Sequence, residues 1–345
     1  IEDRKPSVRI IAPERVSEQV SPRARVRIAV EVEDDYGIRG GVLEGRYFAP
    51  GSDAPVPQSL PLEGLVAAGV LSPRDALREG TSEFWLDVAS LSTGSALPPE
   101  PGGRFEFFAL AEDFGITDQK HPDGRTMGNI GESQVRLLEI VDERTLERLL
   151  IDRLMLVRDQ LRQILSRQRA LRMNLGEIED AARLAQGIDP DEGAKLSRQR
   201  QDQERISGAL ARQADEIGHI LARMRENVVG DERHQNKFGR IGSNLRSLAD
   251  VESPRIAEAI ESIRRDALDG GAEATLISGV TRRQRQLERD LEALIRELED
   301  HGSIDSVIQT LRSAMDRLEM INQAARRQVE GGSEEPEPSR EETTP

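Results

Sequence analysis

Two acidic turns hold the side chains that are best suited to chemistry in this sequence. Asp34 and Asp35 stand before a Tyr-Gly pair, and Glu112 and Asp113 stand before a Phe-Gly pair. If the surrounding strands form an immunoglobulin-like sandwich, both turns lie at the same end of the fold, where their carboxylates could supply oxygen ligands to Ca²⁺. Neither turn has the spacing of a known calcium loop, and Asp and Gly also build tight turns without any ligand. The sequence therefore favours structural turns, with calcium binding as the alternative.

No other set of residues has a spacing typical of a catalytic or metal site. The four histidines, His121, His219, His234 and His301, are not spaced as zinc ligands. The sequence has no cysteine, no Gly-x-Ser-x-Gly elbow and no phosphate-binding loop. Because a nucleophile, a base and an orienting group do not occur together, we expect no enzymatic activity and no cofactor.

Composition narrows the class of partner. The chain has 345 residues, a net charge of −15 and 32% charged residues, but only 3% aromatic residues. An acidic chain is repelled by phosphate backbones, which excludes nucleic acid as the main partner. A polar chain with few aromatic residues favours elongated helices over one large core. We therefore expect the partner to be protein.

The chain carries no recognisable membrane or targeting segment. Its longest apolar run, residues 65–71, is far shorter than the roughly 18 residues of a membrane span. The chain begins at Ile1 instead of Met and enters a strand-like segment almost at once. We expect a fragment whose targeting or membrane segment lies upstream, so membrane association would come only through a segment outside this chain.

Residues 1–141 have the two-residue period of β-strands. Apolar residues alternate through Arg25–Glu33, and again through Arg104–Ala111. About seven such short strands, separated by Gly, Pro and Asp, predict an immunoglobulin-like β-sandwich. Residues 61–80 interrupt the pattern and predict an insertion with a short helix near residues 73–78.

From residue 142 the period changes to seven residues, which predicts long helices packed as an antiparallel coiled coil or bundle over residues 142–330. The first helix, numbered α1, is predicted to begin at residue 142 and to end near Gly187 and Pro190. Its apolar seam, named here the α1 seam, could pack within the chain or pair with another chain, and the sequence does not separate the two. The residues of the α1 seam are Leu150, Leu154, Val157, Leu161, Ile164, Leu171, Leu175 and Ile178.

The later helices are less uniform. A second helix over residues 191–229 has several Gln at seam positions, which weaken it and could specify its register. Ser253 followed by Pro254 predicts the capped start of a new helix. Two further helices, joined at a turn near His301, predict an antiparallel hairpin, and residues 331–345 predict a disordered acidic tail.

The strand half resembles a module of a domain-of-unknown-function family, number 4175, found in large bacterial membrane proteins. The resemblance covers about residues 5–180 and is carried by four short stretches. These are Lys5-Pro6-Ser7-Val8 through Ile11-Ala12-Pro13, Ile28 to Ile38 with Asp34-Asp35-Tyr36-Gly37, Phe84-Trp85-Leu86-Asp87, and Phe105 to Asp113. The resemblance implies an extracytoplasmic or periplasmic protein, anchored in the membrane by helices upstream, and it implies no catalytic residues.

Two functions remain open on the sequence. The first is a non-enzymatic scaffold or adaptor of the cell envelope, whose helices bind another protein or a second copy of the chain. The second is the ectodomain of a membrane sensor, in which the end loops of the sandwich bind a ligand or calcium and the helices relay the change.

Overall fold

The computed structural model describes residues 4–65, 76–94, 97–115, 128–185, 188, 190–268 and 275–299. Strands come first and helices second, so the chain is a mixed β and α protein. It divides into two compact units. The first unit combines Ile1–Val157 with Ser207–Val251, and the second combines Arg158–Ile206 with Glu252–Pro345.

The predicted change from strand to helix near residue 142 is present, since the last strand ends at Ile140 and the first helix begins at Glu143. The compact units, however, divide at other positions than the predicted domains. The helical segments 143–157 and 207–251 belong to the unit that contains the strands. A change of period marks where the backbone changes conformation, whereas a compact unit is defined by which side chains pack together.

In the described part of the first unit, nine strands form two sheets. One sheet has the order β1-β3-β6, and the other has the order β2-β9-β7-β4-β5, with β8 paired to β7. All pairs are antiparallel except β2 with β9, which is parallel. The strands are β1 Ser7–Ala12, β2 Ser17–Val20, β3 Arg25–Glu33, β4 Ile38–Phe48, β5 Pro55–Pro61, β6 Glu79–Asp87, β7 Arg104–Asp113, β8 Ile130–Glu132 and β9 Arg136–Ile140.

The two sheets bury a common hydrophobic core. Ile28, Val30 and Val32 of β3 have no exposed surface, and the same holds for Phe105 and Phe107 of β7. The Phe105 and Phe107 rings stack at 5.6 Å between centroids. Because each strand turns one face inward, the charged residues between these positions lie on the outer faces.

One glycine allows two backbone segments to approach closely. A Cβ atom on Gly131 of β8 would lie 1.9 Å from the carbonyl oxygen of Pro6, just before β1. No side chain fits at that distance, so this position requires glycine. By contrast, a Cβ atom on Gly40 of β4 would meet nothing within 4 Å.

Within the described residues, five α-helices follow the strands. They are α1 Glu143–Ala185, α2 Pro190–Glu226, α3 Glu232–Ser247, α4 Ser253–Leu268 and α5, residues 275–299. The carboxylate of Asp231 caps α3 by accepting a hydrogen bond from the His234 N–H at 2.7 Å. A π-helical turn, Leu248–Glu252, joins α3 directly to α4.

The predicted start of this helix is confirmed, because α4 spans Ser253–Leu268, but Ser253 does not cap it, because the helical backbone enters Ser253 from the π-helical turn. The helix continues through Ser253 because the π-helical turn absorbs the irregularity that Pro254 introduces, since Pro lacks the N–H that a regular α-helix needs. The Ser253 hydroxyl, fully buried, instead donates to the carbonyl oxygen of Gln203 in α2 at 3.2 Å.

Two predicted elements lie outside the described residues: the last helix of the predicted hairpin and the acidic tail, residues 331–345. Of the short helix predicted near residues 73–78, residues 76–78 are described and are not helical, and residues 73–75 lie outside the described residues. Within the predicted insertion over residues 61–80, Glu79 and Gly80 belong to β6.

Candidate functional site

The two acidic turns meet at one end of the first unit. The Phe114 N–H donates to the carbonyl oxygen of Gly37 at 3.0 Å, which joins one turn to the other. The carboxylate of Asp34 folds back on its own turn, where its Oδ2 accepts from the N–H groups of Tyr36 at 2.8 Å and Gly37 at 2.6 Å. This is the arrangement by which an Asp side chain closes a tight turn.

Asp34 is nevertheless in an unfavourable place for a charge. Its residue is 9% exposed, and its Oδ1 is buried without a hydrogen-bond partner. Burial raises the pKa of Asp34 above its usual range, and the charge of nearby Asp113 adds to the rise, while the two turn hydrogen bonds oppose it.

Two of the other three candidate calcium ligands already have partners within the chain. The Asp113 carboxylate accepts from the N–H groups of Gly115 at 2.8 Å and Asn129 at 2.7 Å, and from the side-chain amide of Asn129 at 3.0 Å. Glu112 pairs with Arg39 at 2.7 Å, and Asp35 is exposed. In the part of the chain that the structure describes, no group of three or more acidic, His or Cys side chains is arranged to hold a metal ion.

Two of the four histidines lie within the described residues. His219 lines a cavity of the first unit, and His234 lies in the first turn of α3. His121 and His301 lie outside the described residues.

The α1 seam is buried within the chain. Its eight residues are at most 8% exposed, so little of their surface remains for another molecule. The first three, Leu150, Leu154 and Val157, belong to the first unit, and the other five belong to the second. Any surface of α1 that binds a partner therefore lies beside the seam and not on it.

Such a surface exists on the first turns of α1. Leu149 and Leu156, seven residues apart, are 36% and 66% exposed. They line a groove of about 440 Å³ beside strand β2, over a floor that includes the buried side chains of Leu146 and Leu150. We name this feature the α1 groove. Sequence reasoning missed it, although the seven-residue spacing of Leu149 and Leu156 was a signal for a second apolar line.

Charged side chains surround the α1 groove. Arg223 of α2, with 17% of its side chain exposed, donates to the carbonyl oxygen of Gln19 and lies 3.8 Å from Glu18. Burial lowers the pKa of Arg223, and Glu18 opposes this effect. Arg15 and Arg153 line the same groove.

A second cavity, of about 480 Å³, shares these four charged residues with the α1 groove and is also lined by Glu226. Burial raises the pKa of Glu226, and the neighbouring charge of Glu18 raises it further. Arginines and acidic residues line both openings in equal numbers, three of each in the α1 groove and four of each in the second cavity, so the surroundings of the groove are charged but not strongly of one sign.

A buried polar junction fixes the α2 end of the groove to strand β2. The Asn227 Oδ1 accepts from the Ser21 N–H at 2.8 Å, and the Ser21 hydroxyl donates to the Asn227 carbonyl oxygen at 2.8 Å. The Asn227 amide also donates to the carbonyl oxygen of Arg223 at 2.8 Å, which caps the end of α2. Val228 then reverses the chain with a φ of 54°, a conformation that a β-branched residue adopts only where its neighbours hold it.

No family model matches the chain, and neither the curated proteins nor the solved structures contain a significant match. The function must therefore be argued from the chain itself.

Proposed function

We propose that this chain is the binding part of a non-enzymatic, envelope-associated scaffold or adaptor, and that it binds another protein through the α1 groove. The observation that carries the proposal is the pair of exposed leucines, Leu149 and Leu156, one heptad apart on α1 above a groove with an apolar floor. The partner is a protein chain, which includes a second copy of this one.

The arrangement suits protein better than a small polar ligand. Scattered exposed apolar residues are normal on protein surfaces, but here two leucines flank one groove and share its apolar floor. Protein interfaces combine such an apolar centre with a charged or polar rim. Arg15, Arg153 and Glu18 supply that rim.

The mixture of charges around the groove adds selectivity. A partner must place acidic groups against Arg15 and Arg153, because Arg223 and Glu18 already lie 3.8 Å from each other. A partner without matching charges would leave these groups desolvated and unpaired. The cost of an unpaired buried charge is on the order of several kcal/mol. We therefore expect an amphipathic partner segment with acidic and basic residues beside its apolar side.

We also propose that the strands form an immunoglobulin-like sandwich and that the helices pack as a coiled coil. The order of the two sheets, with β2 crossing to pair in parallel with β9 at the far edge, is compatible with an immunoglobulin-like sandwich. The seven-residue repeat of buried side chains on α1 supports coiled-coil packing.

The resemblance to the 4175 family supports an extracytoplasmic or periplasmic location with an anchor upstream. Among the residues that the structure describes, no helix is long and apolar enough to cross a membrane.

Photo-crosslinking in the cells that make the protein tests the proposal. The full-length gene would carry a benzophenone amino acid in place of Leu156, and, in a second strain, in place of Met173. Met173 is a matched control, because it is also an apolar residue of α1 and is 63% exposed, but it does not line the groove.

We expect a discrete protein adduct from position 156 and none, or a much weaker one, from position 173. The mass of the adduct separates a second copy of the chain from a different protein. Equal labelling at both positions, or no adduct at position 156, would show that the α1 groove does not bind protein. Protease treatment of intact spheroplasts, scored on the same strains, tests the extracytoplasmic location.

One observation favours the second candidate function, a sensor ectodomain that binds calcium at the sandwich end. The unpartnered Oδ1 of Asp34 lies close enough to Asp113 for their charges to interact, and a cation would stabilise both carboxylates. A ligand that binds only the folded state raises the unfolding temperature. A rise in Tm with CaCl2 that disappears in Asp34→Asn would support the sensor, and an unchanged Tm would leave the scaffold as the better account.

A further inference from the structure

We propose that Gln168, Gln203, Gln284 and Ser253 form a buried polar layer that fixes the alignment of α5 with the other helices of the second unit. This inference goes beyond the proposed function and does not depend on it. Each of the four residues comes from a different helical segment, in the order α1, α2, α5 and α4. All four are 0% exposed.

The hydrogen bonds of the layer run through one residue. The Gln203 amide nitrogen donates to Gln168 Oε1 at 3.0 Å and to the Ser253 hydroxyl at 2.8 Å. The Gln203 Oε1 accepts from the Gln284 amide at 3.4 Å. Gln203 therefore connects α2 to three other helical segments at a single level of the unit.

The layer makes the second unit less stable than an apolar layer would. Gln168 Nε2 and Gln284 Oε1 are buried without hydrogen-bond partners, and such groups destabilise a folded protein relative to apolar side chains of the same size. The best-attested role of such a buried polar layer is to select one alignment of the helices among several that an apolar seam would allow.

The sequence shows why selection is needed here. Seven residues before and after each glutamine lies an apolar residue that is also 0% exposed. These neighbours are Leu161 and Leu175 on α1, Leu196 and Leu210 on α2, and Ile277 and Leu291 on α5. If the glutamines were leucine, a helix displaced by seven residues, about 10 Å at 1.5 Å per residue, would still present an unbroken apolar seam.

Selection of one alignment matters most for α5. Its alignment is otherwise supported by ion pairs with α1, of which Arg162–Glu299 and Arg169–Glu292 are about half exposed at the arginine. Exposed pairs contribute little free energy. A third pair, Arg172–Glu288 at 2.8 Å, is more buried. The glutamine layer is thus a second buried feature, beside the Arg172–Glu288 pair, that distinguishes one alignment of α5 from the next.

The test combines an apolar layer with a distance measurement. Gln168→Leu, Gln203→Leu and Gln284→Leu would be combined in one chain, which also carries spin labels at Ser166→Cys on α1 and Arg285→Cys on α5. Both label positions are exposed, and the chain has no native cysteine. Gln201→Leu is the matched control, since Gln201 is exposed on α2 only two residues from Gln203.

With the glutamines present, and in the Gln201→Leu control, we expect one narrow distribution of label distances. With the apolar layer, the distribution should broaden or gain a second maximum displaced by up to about 10 Å, while the midpoint of chemical unfolding stays the same or rises. A single narrow distribution in the apolar-layer chain would overturn the proposal. If that chain fails to fold, the single variant Gln284→Leu decides the question by the same distance criterion.

Discussion

The buried junction between Asn227 and Ser21 makes a strong prediction about the first unit. In Asn227→Ala, the Ser21 N–H loses its acceptor, which now lies 2.8 Å away. Ser21 and Asn227 are only 0% and 2% exposed, so water cannot replace the lost oxygen. The second lost bond, from the Asn227 amide to the Arg223 carbonyl oxygen, matters less, because that oxygen still accepts from the Asn227 N–H at 3.1 Å.

The expected loss follows from the one buried donor. An unsatisfied buried N–H costs about 1–3 kcal/mol, so Asn227→Ala should destabilise the first unit by about 2 kcal/mol. For a unit of roughly 200 residues, each kcal/mol lowers Tm by about 2–4 °C. Tm should therefore fall by roughly 4–8 °C. Trp85, the single tryptophan, lies in β6 and reports on this unit by its fluorescence.

The control is Asn236→Ala, the same substitution at an exposed position of α3 in the same unit. It should change stability by less than about 0.5 kcal/mol, as is usual for surface sites. If Asn227→Ala is as mild as Asn236→Ala, then the Ser21 N–H has found another partner, and the junction does not hold α2 to strand β2 in the manner described.

Three further predictions concern other parts of the chain. Because the pKa of Asp34 is raised in the folded state, its ionisation reduces stability as the pH rises above the usual value of 3.8. Asp34→Asn should therefore stabilise the protein at pH 7. Denaturant titrations should show that this gain in stability shrinks towards pH 3. Gly131→Ala should destabilise by about 1–3 kcal/mol through overpacking, whereas Gly40→Ala, which meets no neighbour, should not, as thermal melts would show. Arg172→Met leaves the Glu288 carboxylate, only 9% exposed, without its partner, and should destabilise the second unit by about 2 kcal/mol, measured by urea unfolding followed at 222 nm.

The regular elements could be predicted from the sequence because their periods are strong. β3 has the predicted bounds, and α1 has nearly the predicted bounds. β2 and β5 were missed for physical reasons. β2 is short and mostly polar, and β5 contains three prolines, which usually argue against a strand. Both lie at the edges of their sheet, where such residues are tolerated.

The candidate site could be predicted only in part. The meeting of the two acidic turns follows from their positions at the ends of strands that pair with each other. The junction of Ser21 with Asn227 could not be predicted, because the two residues are 206 positions apart and neither belongs to a local motif. The seven-residue repeat showed which residues of α1 would be buried, but it gave no information on which neighbouring side chains would stay exposed.

The prolines of β5 bear on how this protein behaves at high concentration. Pro55, Pro57 and Pro61 stand on an outermost strand of the larger sheet, and each lacks the N–H that a strand from a neighbouring molecule would need to dock there. That margin is therefore a poor template for adding further strands, which lowers the risk of fibril growth and precipitation from this side of the molecule. Replacing these prolines to strengthen the strand would remove a safeguard against self-polymerisation.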